Sequence, residues 1–144
     1  MVKHFDHLTI VVRDVDAAKR FFALLGFDEV RSVVISGEVM DRYMGVPGIE
    51  AEHVTLVLTG SSPRSEIQLL GYRNPQPVAD PSIRDLSRLG FNHVCFAVDD
   101  LDAAVRKIEA GGFRRRNETM VFHGRKLVFL EGPEGVTVEL AQWR

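Results

Sequence analysis

His7, Gln68, His93 and Glu139 are the side chains in this sequence whose types and placement point to chemistry. In a strand, residues two apart share a face. In FDHLTIVV, Leu8, Ile10 and Val12 therefore fall on one side, with His7, Thr9 and Val11 on the other. NHVCFAV divides the same way, with Val94, Phe96 and Val98 opposite His93, Cys95 and Ala97. Ile67 and Leu69 oppose Glu66, Gln68 and Leu70, and Val136, Val138 and Leu140 oppose Thr137, Glu139 and Ala141. Each of four strands thus carries one potential ligand on the face turned from its apolar side. Two neutral imidazoles, a carboxylate and an amide oxygen suit one borderline divalent ion, Fe, Mn, Co, Ni or Zn, with coordination left open for substrate. A lone His or Gln in a strand is more often simply hydrogen-bonded or solvated. What distinguishes this set is its recurrence at matching positions.

That recurrence comes from an internal repeat. Residues 5–27, FDHLTIVVRDVDAAKRFFALLGF, align with residues 91–113, FNHVCFAVDDLDAAVRKIEAGGF, at an offset of 86, and 10 of the 23 positions are identical. His7 matches His93, and Asp14, Asp16, Ala17, Ala18 and Gly26 match Asp100, Asp102, Ala103, Ala104 and Gly112. Gln68 and Glu139 correspond at an offset of 71. Each copy reads as a strand, an Asp that caps a helix, an amphipathic stretch and a terminating Gly, so Asp14 and Asp100 are structural N-caps. Alternating segments follow around 29–35, 54–59 and 65–70, then around 114–121, 125–130 and 136–141. Each half is therefore βαβββ. The class is α+β: two tandem half-repeats forming a cupped mixed sheet with helices on its outer face.

The chain reads as a single domain over 1–144, with half-repeats at 4–72 and 91–144 and a connector at 73–90 rich in Pro and polar residues. The first half carries an insertion, 36–53, expected to form a short helix and loop. Within it, Met40, Tyr43 and Met44 fall at near-helical spacing, read as a packed face in preference to an apolar lid.

Composition bounds the partners. With 45% hydrophobic and 26% charged residues and a net charge of −2, the chain is an ordinary globular protein, not a basic nucleic-acid binder. Cys95 is the only cysteine, which excludes an intrachain disulfide framework and fits a reducing compartment. No apolar run approaches the ~20 residues that span a bilayer, and the N-terminus enters a strand pattern without a signal-like core, so a cytoplasmic location is expected.

These residues resemble the vicinal-oxygen-chelate superfamily, which includes glyoxalase I, methylmalonyl-CoA epimerase, fosfomycin-resistance proteins, extradiol dioxygenases and bleomycin-binding proteins. DHLTIVV, IQLL, NHVCFAV and GPEGVTVEL carry the resemblance, which covers nearly the whole chain. It implies His7, Gln68, His93 and Glu139 as ligands, a set similar to that of methylmalonyl-CoA epimerase. His7, His93 and Glu139 alone also match the two-His, one-carboxylate set of dioxygenases and fosfomycin-resistance proteins. Gly132-Pro133-Glu134-Gly135 departs from the familiar Asp-Pro-x-Gly turn. The resemblance implies a metal-dependent enzyme acting on a small oxygenated substrate, an epimerase, isomerase or lyase working through a metal-stabilised enolate, with Glu139, Glu50 and Glu52 as catalytic candidates. The alternatives are a dioxygenase or a metal-free protein that sequesters an antibiotic. It also implies a homodimer. His4, His53, His123, Tyr72, Arg125 and Trp143 are assigned no role.

Overall fold

A computed structural model describes residues Met1–Arg144, and the chain divides into two compact units, Met1–Val78 and Ala79–Arg144. The division falls inside the expected connector.

The first unit contains β1 (His7–Val11), α1 (Val15–Leu24), β2 (Phe27–Ser36), α2 (Glu38–Met44), β3 (Glu50–Leu58) and β4 (Glu66–Asn74). Its sheet runs β1-β4-β3-β2, with β1 parallel to β4 and the other pairs antiparallel. The second unit contains β5 (Val94–Ala97), α3 (Leu101–Ala110), β6 (Met120–Phe122), β7 (Arg125–Glu131), a 3₁₀ turn at Pro133–Gly135 and β8 (Thr137–Trp143). Its order, β5-β8-β7-β6, repeats that of the first. The α+β class and the tandem plan are as expected, and each half closes its own four-stranded mixed sheet.

Both caps form. Asp14 accepts from the Ala17 N–H at 2.9 Å, and Asp100 accepts from the Ala103 N–H at 3.0 Å. Gly26 and Gly112 follow the helices at φ +96° and +90°, backbone that a side chain strains, which is why both copies keep glycine there. α1 buries Ala18, Phe21 and Phe22 against a sheet face made by Ile10, Val12, Val54, Leu56, Ile67 and Leu69. α3 buries Leu101, Val105 and Ile108 in a unit whose sheet core includes Val128, Leu130, Val138 and Leu140. Each buried Leu, Val or Phe contributes roughly 1.5–3 kcal/mol before entropy is counted. The apolar parity read from the sequence is the parity of these two cores.

The insertion forms α2, whose Asp41 accepts from the N–H groups of Gly48 and Ile49 at 3.0 and 2.8 Å and so closes the loop into β3. The expectation of a packed face fails: α2 buries no residue, and Tyr43 is 82% exposed. A strand at 114–121 is also absent. Only a single bridge, Arg115 to Leu130, precedes the short β6. The run Arg114-Arg115-Arg116-Asn117 has no apolar alternation to pair on, and Arg116 turns inward to bond Glu131 at 3.0 Å, Thr137 and the Gly135 carbonyl.

Arg84 bonds the same carboxylate at 2.5 Å. Burial pushes Glu131 up, but the bonds from Arg116 and Arg84 outweigh it and hold its carboxyl below the ordinary value. A depressed carboxyl stabilises the fold above its unfolded pKa, and that contribution disappears as pH falls through the lower folded value. Urea midpoints should therefore drop as pH falls below about 4.5. Arg116→Met should lower stability by about 2 kcal/mol at pH 7 and flatten this acid dependence.

Candidate functional site

In the first unit, the face opposite α1 forms an open cavity of about 780 Å³. β1 contributes His7 and Thr9 to it, β3 His53 and Thr55, and β4 Glu66, Gln68 and Leu70. β2 and α2 supply Val33, Ile35, Met40, Tyr43 and Met44, so one side of this cup is polar and the other apolar except for Arg31 of β2. The three residues read from the sequence as a packed face thus line the cavity.

His7 is exposed, and its Nδ1 lies 2.6 Å from Asp6 Oδ1. A carboxylate acceptor fixes the proton on Nδ1 and leaves the Nε2 lone pair free, the arrangement that metal-ligating histidines use. The Nδ1 contact also holds the Asp6 carboxyl below the ordinary range. In the parallel register Glu66 stands opposite His7, and the ligand atoms of Asp6, His7 and Glu66 lie within 4.8 Å of one another. Glu66 also bonds Arg64 at 2.8 Å and the Gln68 amide nitrogen at 2.5 Å. Gln68 Oε1 lies 3.0 Å from His53 Nε2 and accepts from the Thr9 hydroxyl at 3.4 Å.

The second unit repeats part of this arrangement. His93 Nδ1 lies 2.7 Å from Asn92 Oδ1, and the Asn92 amide nitrogen donates to the Leu86 carbonyl at 2.7 Å. The Leu86 contact fixes which end of the amide faces His93, so its Nδ1 carries the proton and Nε2 is left as the acceptor. Nε2 lies 3.8 Å from Glu139 Oε1, too far for a direct hydrogen bond. The His93 ring meets Phe129 edge-on at 5.3 Å. Cys95 faces Glu139 across the parallel β5/β8 pair. Its residue surface stays open, yet protein packed near the sulfur, and then the Glu139 carboxylate, push the thiol up to about 12.

The structure brings Gln68 to the His7 face of one unit and pairs His93 with Glu139 in the other. In each unit an imidazole thus presents Nε2 on the same face as a side-chain oxygen, donor types that suit a borderline divalent ion. Glu50 and Glu52 are elsewhere. They lie inside β3, not in a loop before it, and neither lines the cup. Glu50 pairs with Arg73 at 3.4 Å. Glu52 turns toward α1, accepting from the Ser32 hydroxyl at 3.1 Å and lying 3.9 Å from Lys19. Strand alternation accounts for this, since Glu52 shares its face with buried Val54 and Leu56, whereas His53 and Thr55 share the Gln68 face.

Sequence reasoning passed over Asp6, Asn92, His53 and Glu66. The first two precede the two histidines at equivalent repeat positions, and His53 has the same parity as Thr55, so the signals were present.

The sequence profile of the Glyoxalase/Bleomycin resistance protein/Dioxygenase superfamily matches residues 4–140. The chain is 26% identical over 147 aligned positions to the uncharacterized protein YwbC of Bacillus subtilis (strain 168), covering 99% of both chains. It is also 26% identical over 141 positions to the uncharacterized protein YaeR of Escherichia coli (strain K12), covering 96% of this chain and 95% of the relative. Among solved structures, a glyoxalase family protein from Bacillus cereus superposes with a TM-score of 0.89 at 26% identity, covering 99% of this chain and 95% of the other. With nearly its full length matched, this chain belongs to the Glyoxalase/Bleomycin resistance protein/Dioxygenase superfamily.

Proposed function

We propose that the protein is a metal-dependent enzyme that binds one divalent ion through His7, Gln68, His93 and Glu139 and acts on a small oxygenated substrate as an epimerase, isomerase or lyase. The observation that carries this reading is the matched presentation of the two histidines, each with Nδ1 tied to the side chain before it and the Nε2 lone pair left to ligate an ion. When bound, such an ion supplies Lewis acidity to adjacent substrate oxygens, which acidifies a neighbouring C–H. The chain's own residues do the rest. Asp6 and Asn92 orient the imidazoles, and Thr9 and His53 hold the Gln68 oxygen. His53, half-buried in the cup with its Nε2 beside the Gln68 oxygen, is placed to accept or return a proton.

Incubating the metal-loaded and chelator-stripped protein in D₂O with a panel of 2-oxo, 2-hydroxy and 2-substituted acyl compounds tests this. Metal-dependent deuterium incorporation at the carbon beside the carbonyl is expected. Oxygen uptake with catechols would favour the dioxygenase reading. Tight ligand binding with neither reaction would favour a sequestering protein, which the size of the cup also suits.

The active form is proposed to be a homodimer. β6 is a sheet edge whose Met120, Val121 and Phe122 are each about half exposed, the kind of apolar edge that a second copy covers. No helix is long and apolar enough to cross a membrane, and a cytoplasmic location is proposed from the free Cys95.

A further inference from the structure

We infer that the cup of the first unit takes an amphipathic organic anion, its carboxylate or phosphate paired with Arg31 and its hydrocarbon body lying against Met40, Tyr43 and Met44. This rests on the reading of the cup as the substrate site and adds the class of substrate. Three charged side chains line the cavity: Arg31, Arg64 and Glu66. Arg64 and Glu66 neutralise each other at 2.8 Å, whereas Arg31 is exposed and pairs with no carboxylate. Asp6 at the cup's edge is taken up by His7, so Arg31 is the charged side chain left without a counter-ion, and a divalent ion would add to the positive charge there.

A backbone irregularity puts Arg31 there. β2 pairs Glu29 with Leu56 and then Arg31 with Thr55, so Val30 is an extra residue in the ladder. Glu29 stays on the α1 face, where it pairs with Lys19 at 3.1 Å. Without the extra residue, Arg31 would alternate onto that same face. With it, Arg31, Val33 and Ile35 all turn into the cup, and Ser32 turns toward Glu52. Bulges recur where a side chain must be re-aimed beside a binding site. Across the cavity, Met40, Tyr43 and Met44 present one face of α2, the two methionines half-buried and deformable and Tyr43 mostly exposed. Polar anchors, an unpaired guanidinium and a soft apolar wall together match a ligand with an anionic group and a hydrocarbon part.

The full-length protein would be titrated in EDTA with 8-anilinonaphthalene-1-sulfonate and with N-phenyl-1-naphthylamine, which has the same body without the sulfonate. The anion is expected to bind the more tightly. Arg31→Met should weaken it about fivefold or more, with the neutral probe within about twofold. Met44→Asp should weaken both probes. Octanoate and octyl phosphate should displace the anion better than octanol, and the stronger of the two identifies the head group. Equal binding of the two probes, an Arg31→Met variant unchanged toward the anion, a Met44→Asp variant unchanged toward both, or octanol competing as well as the anions would each overturn the inference. Because EDTA removes any ion, failure here is separate from failure of metal binding, which is measured without it.

Discussion

His93→Ala is expected to lower divalent-metal affinity by more than about 100-fold, the upper end of what loss of an outer orienting partner alone produces. The fold should survive. His93 is part-exposed on the face turned from the α3-packed core and meets Phe129 edge-on, so the stability loss should be about 1 kcal/mol. His7→Ala should match it in metal affinity at still smaller cost, because His7 is exposed and bonds only Asp6. Calorimetric metal titration beside urea denaturation separates the two quantities. Variants that unfold while the wild type binds no ion would show the histidines to be structural.

The second large effect concerns the residue before His93. Asn92→Leu should reduce metal affinity by about 10–100-fold, since it removes the acceptor that fixes the imidazole proton on Nδ1. It also removes the bond to the Leu86 carbonyl, so a weaker variant could reflect a displaced connector. Asn92→Asp distinguishes the cases, because it keeps the acceptor toward His93 and loses only the donor toward Leu86. It should therefore retain most of the affinity. Equal losses in the two variants would place the role of Asn92 in holding the connector.

The cores and half of the site chemistry were legible in the sequence because they depend on period-2 alternation within single strands. Leu8, Ile10 and Val12 against His7 and Thr9 needed no tertiary information, and the Asp caps and terminal glycines followed from local backbone geometry. What stayed hidden depends on pairing between strands. Glu50 and Glu52 look like loop charges because the sequence does not reveal that β3 begins at Glu50 and carries Glu52 onto the α1 face. Arg31 is invisible as a cup residue because only the register of β2 against β3 exposes the extra Val30. The strand expected at 114–121 failed for a related reason: Arg116 finds Glu131 and Thr137, partners more than ten residues away, in place of a ladder. Gln68 is intermediate. Its face was readable, with Glu66 on it, but the bonds that orient its amide, with His53 on the neighbouring strand and with Glu66, depend on the register and rotamers of the folded sheet.

Elemental analysis of full-length protein purified without a chelating column, followed by titration with Ni, Co, Mn, Fe and Zn, tests the central claim most directly. One ion per chain is predicted for the wild type, and its loss in His7→Ala and His93→Ala alike, because both histidines are assigned to one centre. A wild type that binds none of the five ions, or two variants that each keep an ion of undiminished affinity, would contradict the account.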